Sequence, residues 1–197
     1  MSSTQLRNLM SRVARLEKRA ARFPLQGVNL SSRDLSGKDF SNTDLTAAKL
    51  IRANLTGAIL TGAFLKAADL SHANMAGANL TGVVATTAIL AGANLLAANL
   101  SGAGFYQADM SSAKLIGANL TGASMRDTDL QLANLRGANF TNADLFNAYL
   151  WKADLSNADL SGASLDGANF FQAKYNDQTK FPSTIKQSQL AQMIKVP

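Results

Sequence analysis

Residues 68–82 read ADLSH ANMAG ANLTG, three units of five residues built on one plan. Each unit starts with alanine, has aspartate or asparagine second and leucine or methionine third, and ends in two further residues. The plan continues in register on both sides. Every fifth residue from Leu30 to Tyr175 gives 30 positions, of which 21 are Leu, four Phe and three Met, and the others are Ala85 and Tyr175. Alanine stands two residues earlier in 24 of the 30 units. A repeat this regular must decide the fold.

A period of five fits neither an α-helix nor a strand. Five residues overshoot a helical turn by about 140°, and an odd spacing sends strand side chains to opposite faces. All the leucines can share one core only if the chain bends at a constant angle every five residues, which describes a solenoid. Leucine then fills the axis, alanine sits where neighbouring backbone leaves little room, and Asn, Asp and Gly serve the corners.

Tandem A(D/N)LXX units, as at 78–80, 118–120 and 158–160, resemble the pentapeptide-repeat proteins over about residues 25–175. The resemblance implies an all-β solenoid, a right-handed quadrilateral β-helix with four pentapeptides in each coil. Thirty units then make about seven and a half coils and, at about 4.8 Å per coil, a rod about 36 Å long. Family members include bacterial proteins that bind DNA gyrase and cyanobacterial proteins of unclear role, so the resemblance implies a shape rather than a reaction.

The charge divides the chain into three segments. Residues 1–24 carry +5, residues 25–175 carry −1 and residues 176–197 carry +2, for a net charge of +6 and a sequence pI of about 9.8. The basicity therefore belongs to the two ends. A DNA-mimicking, gyrase-binding protein needs a strongly acidic surface, and the nearly neutral rod disfavours that interpretation.

The spacing of apolar residues predicts a basic amphipathic α-helix over residues 4–23, ended by Pro24. We interpret it as a cap on the open first coil. Two alternatives stay open: a seam that joins subunits or attaches to another protein, and a contact with nucleic acid or an anionic membrane surface. The seam consists of Leu6, Leu9, Val13, Leu16 and Phe23, and the basic face of Arg7, Arg12, Arg15, Lys18, Arg19 and Arg22.

Residues 176–197 leave the repeat and predict a short C-terminal helical cap. Ser183 or Thr184 is expected to N-cap a helix of two to three turns. Its apolar positions are Ile185, Leu190, Met193 and Ile194. The phrase around Phe181 and Pro182 is similar to tails of cyanobacterial family members.

Catalytic chemistry finds little support. The chain has no cysteine and a single histidine, His72, at an expected outward corner. Asp109 and Asp129 should stack one coil apart, an arrangement that can bind a cation, but short carboxylates at this position more often bond corner backbone. No phosphate-binding loop and no metal-ligand spacing is present. We therefore expect no enzyme activity, no metal and no cofactor.

The informative positions are departures from the repeat. Apolar residues where polar ones are expected form a candidate surface for a protein partner or for self-association. At Ala85 the core leucine is missing, so the core there must contain a void or be filled by neighbours such as Val83. The candidate surface consists of Phe64, Val84, Tyr106 and Phe146 on one face, and Tyr149, Trp151 and Phe171 on the adjoining face.

These observations favour a non-catalytic structural or interaction rod that presents flat β faces to an unknown protein partner or to a second copy. Binding through the basic N-terminal segment to nucleic acid or membrane is the main alternative, and its loss with added salt would distinguish it from salt-tolerant capture by apolar faces. No run of 18 apolar residues and no signal-peptide core is present, so we expect a cytoplasmic protein. The Arg-rich, acid-poor start also resembles an organelle transit peptide.

Overall fold

A computed structural model describes residues 25–197, and its continuous elements are short. They are strand β1, Lys174–Tyr175, helix α1, Gln187–Leu190, and strand β2, Ile194–Lys195, which pairs in parallel with β1. Before β1 the backbone pairs at single positions, one in each five-residue unit. The predicted N-terminal helix, with its seam and its basic face, lies outside the described residues.

Each unit has five positions, named here by their place in the repeat. The central position holds the core residue at 30, 35, 40 and onward. The residue before it occupies the bridge position, and the residue two before it occupies the small position. The two residues after it occupy the first and second corner positions. Face 1 holds the units centred at 25, 45, 65 and onward to 165, face 2 those at 30 to 170, face 3 those at 35 to 175 and face 4 those at 40 to 160.

Bridge residues twenty positions apart pair in parallel, as Asn79 does with Asn99 and Asn99 with Asn119. The Leu80 N–H donates to the Asn99 carbonyl at 2.7 Å, and the Asn99 N–H donates back to the Ala78 carbonyl at 2.9 Å. Four units of five residues separate the partners, so four pentapeptides make one coil. The predicted solenoid register is confirmed.

The core is the stack of central and small positions along the axis. Leu100 and Leu120, one above the other on face 4, are fully buried, and so are Ala98 and Ala118 beside them. The role predicted for the Ala and Leu pairing is therefore confirmed. Because successive coils repeat these contacts, the core runs the length of the rod and not around one centre.

The corners depend on a left-handed backbone. In every unit from 27 to 172, the residue at the second corner position has a positive φ, between 52° and 73°. At Gly62 a Cβ would lie 2.6 Å from Oδ1 of Asn42 in the preceding coil, so any larger residue there would have to displace that side chain. Leu132 adopts φ +59° at an expected cost of about 1–2 kcal/mol. The ladder on both sides of each corner holds even unfavourable residues in this conformation.

The repeat gains one residue after Tyr175, because Asp159 pairs with Lys180 at a separation of 21 rather than 20 residues. The side chain of Asn176 accommodates the extra residue. Its Oδ1 accepts a hydrogen bond from the Asn157 N–H at 2.9 Å, in the place where a backbone carbonyl serves in the coils below. The ladder therefore continues beyond the insertion.

The predicted C-terminal helix is wrong in its start and its length. The helix has four residues, and Lys186, not Ser183 or Thr184, precedes it as N-cap. Counting on from the bridge residue Lys180 places Lys186 at a central position, where 28 of the 30 repeat units have Leu, Phe or Met. An unpaired ammonium group is not buried in such a core. It turns outward instead, and its Nζ pairs with Oδ1 of Asp166 at 2.9 Å.

Candidate interaction surfaces

Polar bridge residues serve the corner that follows them. Oδ1 of Asn79 accepts hydrogen bonds from the N–H of Thr81 at 3.1 Å and from its hydroxyl at 2.7 Å. The same bond from a bridge oxygen to the N–H two residues on recurs on all four faces. A bridge Asn or Asp is thus a local corner brace, as the sequence predicted for short polar side chains.

The stacked carboxylates Asp109 and Asp129 follow this rule. They pair one coil apart, and each Oδ1 accepts the N–H of its own corner, from Ser111 at 2.9 Å and from Gln131 at 2.8 Å. Within residues 25–197, no group of three or more His, Cys, Asp or Glu side chains is placed to hold a metal ion. The carboxylates are therefore explained by the corners they brace.

The clearest effect of these braces on titration is at Asp159. Hydrogen bonds from the side chain and the N–H of Ser161, joined by the nearby Lys180 ammonium group, lower the pKa of Asp159 to about 2. Donated hydrogen bonds favour the charged carboxylate. Asp159 therefore braces its corner as an ionised carboxylate.

His72 occupies a second corner position and is exposed, with φ +56°. Its ring lies over the corner of the next coil, where a Cβ on Gly92 would be 2.5 Å from Nδ1. The histidine therefore covers a glycine, in the outward corner position that the sequence predicted.

Five of the thirty bridge positions from 29 to 174 carry an apolar or aromatic residue in place of a brace. They are Ile59, Phe64, Val84, Ile89 and Tyr149. Such a side chain has no amide or carboxylate oxygen to accept the corner N–H, so its corner is not braced. Four of the five form two pairs on neighbouring faces, one pair in each of two successive coils, and we call residues 59, 64, 84 and 89 the bridge stripe.

The bridge stripe winds around the rod. Ile59 is on face 4, Phe64 and Val84 pair directly on face 1, and Ile89 is on face 2. Ile59, Val84 and Ile89 are each 40% exposed. Phe64 and Val84 were predicted from the sequence as part of a candidate surface, whereas the two isoleucines were not. The signal that identifies them is a β-branched residue at a position that is otherwise mostly Asn or Asp.

Tyr106 and Phe146 lie two coils apart at first corner positions of face 1, and both are exposed. Arg126 stands between them. Its guanidinium carbon is 5.1 Å from the centre of the Phe146 ring, and its Nε pairs with Asp144. Gly104 is the bridge residue above Val84. A Cβ there would meet only the Val83 carbonyl, at 3.8 Å, so neither space nor backbone requires glycine.

The second predicted group lies on face 2 near the end of the rod. Tyr149 and Phe171 are exposed, Trp151 is half-buried, and Lys152 Nζ is 4.4 Å from the centre of the Trp151 ring. Leu132 is more exposed than any of them, at 52%, and was not singled out from the sequence. Its signal is a large aliphatic residue at a second corner, where glycine is the commonest residue.

The repeat geometry agrees with comparisons to known proteins. The family model "Pentapeptide repeats" matches eight copies over residues 25–84 and 86–174, leaving out Ala85, where the central leucine is missing. The chain belongs to the pentapeptide-repeat family, whose members fold as right-handed β-helices. Among residues 25–197, no helix is long and apolar enough to cross a membrane.

Three solved structures illustrate the likeness. HetL, a pentapeptide repeat protein involved in heterocyst differentiation regulation from the cyanobacterium Nostoc sp. strain PCC 7120, is 31% identical, with 87% of this chain and 90% of HetL covered and a TM-score of 0.37. A pentapeptide repeat protein from the Arabidopsis thaliana thylakoid lumen is 36% identical over 54% of this chain and 70% of that one, with a TM-score of 0.41.

The third is full-length QnrB1, a plasmid-mediated fluoroquinolone resistance protein. It is 20% identical over 85% of this chain and 89% of its own, with a TM-score of 0.56, and shares the fold. A comparison with curated proteins found no match.

Proposed function

We propose that this protein is a non-catalytic interaction protein whose bridge stripe binds a protein partner. The observation that carries the proposal is the placement of four apolar side chains, three of them exposed and Phe64 half-buried, where the repeat supplies corner braces. A net hydrogen bond contributes about 0.5–1.5 kcal/mol, so each apolar bridge residue forgoes a local stabilising contact. The stripe is better explained by what it contacts outside the chain than by the stability of the rod.

Pairing within the face does not account for the whole stripe. Phe64 and Val84 face each other, and an aromatic with a β-branched residue across strands gains about 0.2–1 kcal/mol. Ile89 has no such gain, because its bridge neighbours in the coils below and above are Asp69 and Asp109. Ile59 likewise lies between Asp39 and Asn79.

The test replaces Ile59 and Ile89 with asparagine, a usual residue at the bridge position. We expect the Ile59→Asn, Ile89→Asn double variant to keep or raise the thermal midpoint of the protein, because asparagine restores two corner braces, and to lose partner binding at least tenfold. Binding is measured by affinity capture from the native source with quantitative mass spectrometry. The matched control is Ile116→Asn, an exposed isoleucine at a first corner of face 3.

Proteins captured by the wild type and by Ile116→Asn, but lost from the double variant, are the expected partners. Capture of the same proteins at the same yield by all three forms would contradict the proposal. A double variant that melts well below the wild type would show instead that the isoleucines serve the fold.

We also infer that residues 1–24 close the N-terminal end of the rod. Among the described residues, no acceptor is present for the N–H groups of Asp34 and Asp39, although the N–H groups of bridge residues in later coils donate to the coil below. Such an edge pairs readily with other chains. An apolar seam of the length predicted for residues 4–23 is suited to cover it.

Deleting residues 1–24 is therefore expected to produce aggregates or edge-to-edge assemblies, measured by sedimentation velocity against the full-length protein. If the seam joins subunits instead, the truncated protein stays folded and sediments as a smaller species. A truncated protein that remains soluble in the same association state as the full chain would exclude both roles.

A further inference from the structure

The last coil of the rod has an open edge on face 1. One coil lower, residues 142–147 donate three N–H groups to carbonyls of residues 161–166 at 2.9–3.0 Å. The equivalent donors of the last coil are the N–H groups of Gly162, Leu165 and Gly167. Within residues 25–197 none of these three has an acceptor. The hydrogen-bond ladder therefore stops at this edge with its donors unused.

The edge is open on part of the coil end only. On face 4 the Leu160 N–H donates to the Lys180 carbonyl at 2.8 Å. On face 2 the Gln172 N–H donates to the Gln192 carbonyl at 2.8 Å, and β2 pairs with β1 on face 3. The tail thus continues the ladder on both sides of face 1, at Leu160 and at Gln172. Between them the N–H of Phe170 on face 2 also has no acceptor among residues 25–197, so the gap extends from Gly162 to Phe170.

Lys186 explains why the chain leaves this gap. In register with Lys180 it would stand at the central position above Leu165, where its charge cannot be buried. Its ammonium group pairs with Asp166 outside the core, and α1 follows at once. Residues 182–186 therefore pass the edge of face 1 without pairing to it.

A cavity of about 280 Å³ remains between residues 162–166 and the side chains of Thr184 and Gln189. Gln189 is buried, and its Nε2 donates to the Leu165 carbonyl at 2.8 Å. Small-molecule sites are usually about 300–1,000 Å³ and converge on a centre. Here the volume is slightly smaller and the donors are arranged along an edge, which suits an extended backbone.

We propose that this gap accepts an extended segment of a protein partner, added parallel to residues 162–167 as the next strand of face 1. Strand addition to a free edge is a common mode of peptide recognition. The coil below specifies the segment. The residues at positions j, j+3 and j+5 of the segment supply carbonyls to the N–H groups of Gly162, Leu165 and Gly167. The N–H at j+3 donates to the Ala163 carbonyl, and the residue at j+4 takes the central position of the added strand.

The inference adds partner chemistry to the proposed interaction role. It uses a surface separate from the bridge stripe, so the Ile59→Asn, Ile89→Asn double variant retains this site. Failure of partner binding at the bridge stripe can therefore be distinguished from failure of peptide binding at the open edge.

The probe is a synthetic peptide with the sequence of residues 161–167, SGASLDG, which pairs in this way with the coil below. We expect saturable shifts of the amide resonances of Gly162, Leu165 and Gly167 in the full-length protein. The retro peptide GDLSAGS has the same composition but the opposite direction and should leave them unmoved. N-methylation at the position of Ser164, whose N–H donates to Ala143 at 2.9 Å, should weaken binding about tenfold.

A variant of the protein tests the explanation for the gap. Lys186→Leu should let residues 182–186 complete the coil, shift the same three amides without peptide and reduce peptide binding at least tenfold. Lys180→Gln, which removes an exposed cation from face 4, should bind as the wild type does. The proposal is overturned if the retro peptide shifts the three amides equally, if a large excess of SGASLDG leaves them unmoved, or if Lys186→Leu binds the peptide unchanged.

Discussion

Replacing Leu120 with alanine is expected to lower the free energy of unfolding by about 2–5 kcal/mol, the range for large-to-small changes in a core. Leu120 is fully buried, stacked between Leu100 and Phe140 in the central column of face 4. The backbone ladder fixes the distance between coils, since the Leu120 N–H bonds to the Asn139 carbonyl at 2.7 Å. The neighbours cannot close the space left behind, so the cost should fall in the upper part of the range.

Denaturant unfolding followed by far-UV circular dichroism measures this change. The control is Ile116→Ala, which removes an exposed side chain from the same coil and should alter stability by no more than about 0.5 kcal/mol. Because each coil contacts only its neighbours, loss of one core residue should also weaken the adjacent coils. Equal, small effects of the two substitutions would mean that Leu120 does not lie on the axis.

The interior of the rod was predictable because each buried residue type recurs at a fixed position of the repeat. Leucine at the central position and alanine at the small position recur in a fixed register, and the register alone determines which residues stack. Phe64 and Val84 are twenty residues apart, which is one coil, so the sequence predicted that they stack. They pair in the structure. In a solenoid, unlike most folds, sequence separation fixes spatial separation.

The outward positions were only partly predictable. Aromatic residues stand out in a repeat poor in rings, and so Tyr106 and Trp151 were noticed. Ile59 and Ile89 resemble ordinary strand residues. Their meaning appears only once the bridge position is known to brace the corner, which is a hydrogen-bond relation between side chain and backbone and not a pattern of hydrophobicity.

The C-terminal tail was the least predictable part. Helix propensity and an apolar spacing indicated a helix from Ser183 or Thr184 onward, but the chain still follows the solenoid at Lys180. The inserted residue is hidden in the sequence because an asparagine side chain replaces a backbone carbonyl at Asn176. Unless this hydrogen bond is known, the insertion is missed, and neither the central position of Lys186 nor the open edge can be predicted.

Ala85→Leu is expected to destabilise the protein by about 1–3 kcal/mol, although leucine is the residue that 21 of the 30 central positions carry. Ala85 is fully buried on face 1. Val83, in place of the usual alanine at the small position, is also fully buried. Phe105, larger than the usual leucine, occupies the next central position in the same column and is buried as well. Two larger neighbours thus occupy the space that a leucine at 85 would need.

Placing the usual repeat residues at positions 83, 85 and 105 together tests whether the core at Ala85 is filled by its neighbours or contains a void. The triple variant Val83→Ala, Ala85→Leu, Phe105→Leu should recover most of the stability lost by Ala85→Leu alone, because the neighbours then leave room for the new side chain. Contacting residues couple by about 0.5–3 kcal/mol, so the rescue should be well above experimental error in denaturant unfolding. Val83→Ala and Phe105→Leu made singly should each destabilise by opening a cavity. If Ala85→Leu instead stabilises the protein, the core at this coil contains a void, and the larger residues at 83 and 105 do not compensate for the missing leucine.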